Sequence, residues 1–500
     1  MNPVLPRRRF LTTAASAGLA LGLDPGGLFP GLPRLAAEDV ALGAGAVRFS
    51  PEIEPLVRLL EDTPRERLLE EAGALVKNGA RYRDLLAALL LAGVRNIQPR
   101  PVGFKFHAVL VVHSAHLASQ NAPETDRWLP LFWALDQFKS SQARDVREGD
   151  WTMSALDEAA IPPADKARAA FREAMDQWDT AKADVAAAAL ARTAGAQEIF
   201  DHFCHYGARD FRDIGHKIIY VANSWRTLQT IGWHHAEPVL RSLAYALLEH
   251  EGDNPAGREA RQDAPGRANV AKLKEIRADW QGGLASLDAE REMLGVLRQG
   301  DWPDAADAVV RLLNRGVSPQ SLWDAFFQHA NEMLMRRPGI VSLHAVTTTN
   351  AMRYAWGQCA NDETRRFLLL QNASFLTMFR QVAGADDGVK IEELEAAGTA
   401  ADLDHVFASV GQDRPLAVRQ ALRWLQDGGD VSTFIAAAQR FIYLKGTDSH
   451  DYKFSAAAME DFALLSPHVR DRFLAASTVW FKGSGAEDNS LVARTRAALG

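Results

Sequence analysis

Apolar residues run through the chain in helix-like stretches, and the residues that punctuate those stretches are helix caps. "DTPRERLLEEAGALVKNG" (62–79) sets Thr63 at an N-cap, Pro64 at the first helical position and Glu66 at the third. Asn78-Gly79 then closes the helix. Ser318-Pro319 and Ser466-Pro467 open further helices in the same way. The aromatic run "RWLPLFWALDQF" (127–138) reads as core. No series of alternating strands is present, so the predicted fold class is all-α.

The pattern repeats. "VKNGARYRDLLAALLLAGVRNIQPRPVGFKFHAV" (76–109) lies without a gap over "LNRGVSPQSLWDAFFQHANEMLMRRPGIVSLHAV" (313–346), pairing Gly79 with Gly316 and His107 with His344. A second pair of segments, 193–220 and 427–454, matches more weakly and pairs His216 with His450. Glycine-to-histidine spacing is 28, 21, 28 and 21 residues for Gly79–His107, Gly195–His216, Gly316–His344 and Gly429–His450. A duplicated two-part unit accounts for that regularity. The predicted organisation is a helical half at 60–248, a polar loop and bridging helix at 249–297 (loop to 270, helix from about 271 to 299), and a second half at 298–500. The halves are expected to be related by a pseudo-twofold around a central cavity.

Each repeat brings a histidine to a helix start, with Asp213 and Thr447 three residues before His216 and His450, where short polar side chains cap helices. If the halves pack around a twofold, His107, His216, His344 and His450 converge. Imidazoles so placed serve as metal ligands or as general acids and bases, and four of them suit Fe, Cu or Zn. The competing reading is structural: each histidine merely bonds its preceding loop. Geometry separates the two, since metal–nitrogen bonds near 2 Å demand imidazoles within about 5–10 Å of a common centre. Further histidine pairs, His113/His116, His202/His205 and His234 with Glu237, carry no specific signal. The second half has Asn350 and Gln439 where the first has His113 and His205.

Composition narrows the function. The chain has 500 residues, 47% hydrophobic and 24% charged, with net charge −7 and no basic block after the N-terminus, so nucleic acid is not an expected partner. Two cysteines, Cys204 and Cys359, allow at most one disulfide, and Cys204 reads as a buried thiol. No GxGxxG, P-loop, GxSxG, HExxH or CxxC motif is present. "PRRRFLTTAASAGLALGL" (6–23) joins three arginines to an apolar stretch too short to span a bilayer. Arg7-Arg8-Arg9-Phe10-Leu11 resembles a twin-arginine export signal, with Pro6 and Thr12 departing from its commonest pattern. The resemblance implies the twin-arginine machinery as partner, a signal over 1–37 cleaved after Ala37 or Ala46, and a periplasmic or extracellular protein with no stable membrane span in the mature chain.

"ARDFRDIGHKIIYVANS" (208–224), with Asp210-Phe211 followed by His216, resembles the Asp-Phe…His element of the questin oxidase-like proteins. Those are helical, and some members open polyketide-derived quinone rings by oxygen insertion. The resemblance covers short elements around the four histidines. It implies that these histidines, with Asp210 beside His216, are the working residues of an oxidoreductase acting on a small molecule. The alternative is a non-enzymatic helical-repeat scaffold of the cell envelope.

Overall fold

The computed structural model describes residues 45–385, 387–398 and 402–500. The expected signal at 1–37 lies outside them. Among the described residues there are 23 α-helices and no strands, and the structure is 73% helical. Among the described residues, extended pairing is limited to single bridges between Ala46 and Ser154 and between Leu284 and Val317. No described helix is long and apolar enough to cross a membrane.

Helices recur at the sequence offsets. Arg65–Lys77 and Trp302–Asn314 each have 13 residues and begin 237 positions apart, as do Tyr82–Asn96 and Pro319–Arg336. Gly79 and Gly316, at φ 88° and 82°, turn the chain between the two helices of each pair. A left-handed residue is needed there to end the first helix, and only glycine adopts it without steric cost. The Gly79 N–H donates to Val76 O and the Gly316 N–H to Leu313 O, closing both helices alike. Packing recurs too. Tyr82–Asn96 lies on Glu54–Asp62 and Pro319–Arg336 on Leu287–Gln299, while Thr180–Thr193 lies on Ala236–Leu247 and Arg414–Gln426 on Pro467–Ser477.

Four segments meet in the middle. The helix His216–Ile231 packs on Val112–Asn121 and on Ile340–Gln358, and Ser449–Leu464 packs on those same two. This closed circuit is the frame that holds the histidines. Large rings fill the surrounding core, with Phe106 edge-on to Tyr220 and Trp133 stacked on Tyr452 at 4.2 Å. Such contacts bury more apolar surface than any other residue type and fix helix positions.

Three local expectations are corrected. The first helix of "DTPRERLL" starts at Arg65 with Pro64 as N-cap, because the Thr63 hydroxyl donates back to Leu59 O instead of capping forward. The loop expected to 270 already turns helical at Ala264. The bridging helix expected from about 271 to 299 is broken: Ala264–Lys272 and Leu287–Gln299 flank a non-α stretch. Within it, Trp280 plugs into the core and its Nε1–H donates to Asp362.

Candidate metal centre

Two strained loops deliver the first-half histidines. Gly103 (φ 146°) and Phe104 (φ 47°) lead through a short 3₁₀ turn into His107. Asp213, Ile214 and Gly215, at φ 51°, 44° and 79°, form three consecutive left-handed residues before His216. A β-branched residue there is a genuine outlier, costing on the order of 1–3 kcal/mol, and such outliers cluster at functional sites. A Cβ on Gly215 would stand 2.1 Å from Thr348 Oγ1, and one on Gly103 would press the His216 ring at 3.3 Å. The loops are therefore wedged against the His344 helix and the site. The second half uses no strain: His344 sits one turn into Ile340–Gln358, and His450 is the second residue of Ser449–Leu464.

The four imidazoles form a closed ring. Ring centroids are 4.8 Å apart for His107–His216, 4.2 Å for His216–His344, 5.1 Å for His344–His450 and 4.6 Å for His450–His107. His107 and His344, paired by the sequence repeat, face each other across it at 6.2 Å. One ring nitrogen from each of His107, His344 and His450 lies within 4.8 Å of the other two. The histidines are thus gathered in one place and not scattered over separate helix pairs.

Each ring is oriented through Nδ1. That nitrogen contacts Phe104 O in His107 (2.9 Å), Asp213 O in His216, Ile340 O in His344 (2.7 Å) and the Asp448 carboxylate in His450. Every one of these partners can only accept, so Nδ1 carries the proton and Nε2 is left with a lone pair. The Nε2 atoms of His344 and His450 are buried without a partner. Those of His107 and His216 meet at 2.9 Å. Ring nitrogens of His107, His344 and His450 therefore converge, with the His216 Nε2 against that of His107 and no donor among them. Ligating histidines are typically fixed in this way, with Nδ1–H on a carbonyl or carboxylate. Two metal bonds of about 2.05 Å at right angles would place their nitrogens about 2.9 Å apart. The residues present fit a transition-metal ion.

Electrostatics favour the ligating form. Burial, followed by neighbouring positive charge, holds His107, His216 and His344 well below the ordinary histidine value. Much of that charge belongs to Lys453, one turn past His450, itself pushed down to about 7 by burial. Its Nζ is buried without a hydrogen-bond partner. Hydrogen bonds from His450 hold Asp448 down to about 2. The ring forms one wall of a cavity of about 1150 Å³ that also meets Phe104, Asp213, Ile214, Arg258, Arg261 and Ile340.

The remaining sequence candidates fall elsewhere. Asp210 is not brought to the ring: its carboxylate is fully engaged with Lys217, at 3.0 Å from both oxygens, and with Arg212. Asp213 is a carboxyl on the cavity wall, with Glu249 and Glu251, and burial is the chief cause that raises it to about 6. It acts on His216 through its backbone carbonyl and does not cap the helix with its side chain, and Asp448 rather than Thr447 caps the later one. His113 joins Arg226, Asn350 and Glu460 in a separate polar pocket, and His234 lies in another. Cys204 and Cys359 are both buried, free thiols. Sequence reasoning missed Asp448, which holds His450, and Lys453, whose charge acts on the ring from the separate pocket of His113 and Glu460. Their only signal was helical spacing around His450.

Comparison with protein-family models, curated proteins and solved structures gives no match.

Proposed function

We propose that this chain is an exported oxidoreductase built on a duplicated helical frame, with Fe, Cu or Zn held by His107, His216, His344 and His450. The observation that carries the proposal is the convergence of ring nitrogens from His107, His344 and His450, with the His216 Nε2 2.9 Å from that of His107, each ring holding its proton on Nδ1. When bound, Fe or Cu would supply one-electron and oxygen chemistry, and Zn a Lewis acid.

The chain's own residues have distinct parts to play. Carbonyls of Phe104, Asp213 and Ile340 and the Asp448 carboxylate fix ring orientation and tautomer. The cavity beside the ring admits a small-molecule substrate and exposes the ring on that one side. Placing histidines from both halves around one centre also makes the site depend on the whole fold. That dependence suits the twin-arginine route read from Arg7–Arg9, which carries folded, cofactor-loaded proteins. Metal analysis of protein purified from its native host, with oxygen uptake measured before and after chelation, tests this reading. Metal-dependent uptake supports it, and protein without a first-row metal contradicts it.

A further inference from the structure

The two cysteines of the chain lie together at the far end of the helix that carries His344. Helix Ala196–Gly207 presents Gln197, Asp201 and Cys204 on one face, at positions i, i+4 and i+7. Cys359 lies in the short connection between Ile340–Gln358 and Asp362–Ala383, the second of which packs on Ala196–Gly207. Hydrogen bonds on either side of Cys359 tie that connection to the cysteine face. The Gln197 amide donates to Gln358 O at 2.7 Å, and the Ala360 N–H donates to the Asp201 carboxylate at 2.9 Å. The next position on the face is Cys204. Burial, and then the Cys359 thiol beside it, holds the Cys204 thiol well above the usual thiol range. Both sulfurs belong to buried residues, and both are free thiols here.

Burial makes the pair slow to react without sealing it. The thiolate is the reactive form, and a raised thiol value keeps it scarce. Cys359, however, caps the end of its helix, and its neighbours Gln358 and Ala360 are exposed. Helix ends open locally at far smaller cost than the core. Cys359 is therefore the sulfur that an external reagent meets first, with Cys204 waiting behind it.

We propose that Cys204 and Cys359 are a dithiol pair that closes to a disulfide once the chain enters an oxidising compartment, stapling the end of the His344 helix to the helix that precedes the His216 turn. The Cys359 thiolate attacks the disulfide of an exported thiol–disulfide oxidoreductase, or of a small disulfide, and one thiol of that oxidant leaves. Cys204 then attacks the Cys359 sulfur of the mixed disulfide and releases the second thiol. One S–S bond forms and one breaks, and the oxidant takes up both electrons and both protons. The pair stays reduced in the cytoplasm, so the histidine ring can be filled before the staple closes. That timing rests on the export part of the proposed function, whereas the closure itself does not.

The test weighs the intact chain. Protein from the exported fraction is denatured without reductant and treated with N-ethylmaleimide. No adduct is expected, with two appearing after reduction, and two adducts without reduction would overturn the proposal. The same chain held in the cytoplasm by Arg7→Lys with Arg8→Lys should carry two adducts from the outset, and a bridge already present there would overturn the timing. If no chain leaves the cytoplasm, the export reading fails, and the purified full chain in a buffer of oxidised and reduced glutathione decides closure. The intramolecular bridge is expected there, and free thiols or stable glutathione adducts would overturn it. Closing a loop of about 150 residues should also raise the melting temperature of the oxidised chain by a few degrees over the reduced one. Cys204→Ser and Cys359→Ser should each abolish that difference. Equal melting temperatures for the two forms of the native chain would remove the staple's assigned part, and neither native-chain measurement depends on a variant folding.

Discussion

The Nε2 atoms of His107 and His216 face each other at 2.9 Å, although both rings carry their proton on the far nitrogen. Two lone pairs at that separation repel unless a cation stands near both. A proton is a poor cation here, since burial disfavours charging either ring. An ion bound between the two nitrogens would relieve that repulsion.

The same burial sets a pH dependence for the metal-free protein. His107, His216 and His344 refuse protons in the fold that the unfolded chain binds below about pH 6.5. Their folded pKa is depressed, so stability is complete above that value and falls as pH drops beneath it, by at most about 1.4 kcal/mol per group per pH unit. Urea unfolding of chelated protein at pH 7.5 and 5.5 measures the slope. His344→Gln should flatten it, and a stability that rises on acidification would contradict the assignment.

The Asp213–Gly215 turn should tolerate no side chain at its last residue. Gly215→Ala puts a Cβ at φ 79° and against Thr348 Oγ1. The left-handed backbone alone costs about 1–2 kcal/mol. Lower thermal stability together with weaker metal binding is expected, because the turn carries the carbonyl that orients His216. Calorimetry and a metal titration on the same sample read both effects.

Asp210 should behave as a structural residue. Asp210→Asn leaves the Lys217 ammonium buried beside a neutral amide, a loss of about 3–5 kcal/mol. Metal content per folded chain should stay at the native level. A variant of native stability but impaired chemistry would restore Asp210 to a direct part.

Export is tested by Arg7→Lys with Arg8→Lys. Precursor should accumulate in the cytoplasm, seen by fractionation and immunoblotting, and the exported protein should begin near residue 38. Unchanged export would point to another route.

Much of this was legible in the sequence, for physical reasons. Gly79 and Gly316 mark helix ends because the left-handed turn requires them, so the 237-residue register could be read directly. The four histidines stood out because their spacing from a preceding glycine repeats along the sequence, and the structure brings their rings together. Lys453 was not legible, since a lysine one turn past His450 usually reaches solvent, and only the packing of Ser449–Leu464 among its neighbouring helices buries it. Asp210 misled because sequence proximity to His216 does not show that Lys217 and Arg212 already hold its carboxylate. The break in the bridging helix depends on Trp280 finding Asp362, a contact across 82 residues.

The most direct measurement is metal content by plasma mass spectrometry on protein purified from its native host without chelator, alongside His344→Ala. About one Fe, Cu or Zn ion per native chain is predicted, with almost none in His344→Ala and the helical circular dichroism of the two indistinguishable. Native protein free of first-row metal, or a His344→Ala variant that keeps its ion, would contradict the assignment of the histidine ring as a metal centre.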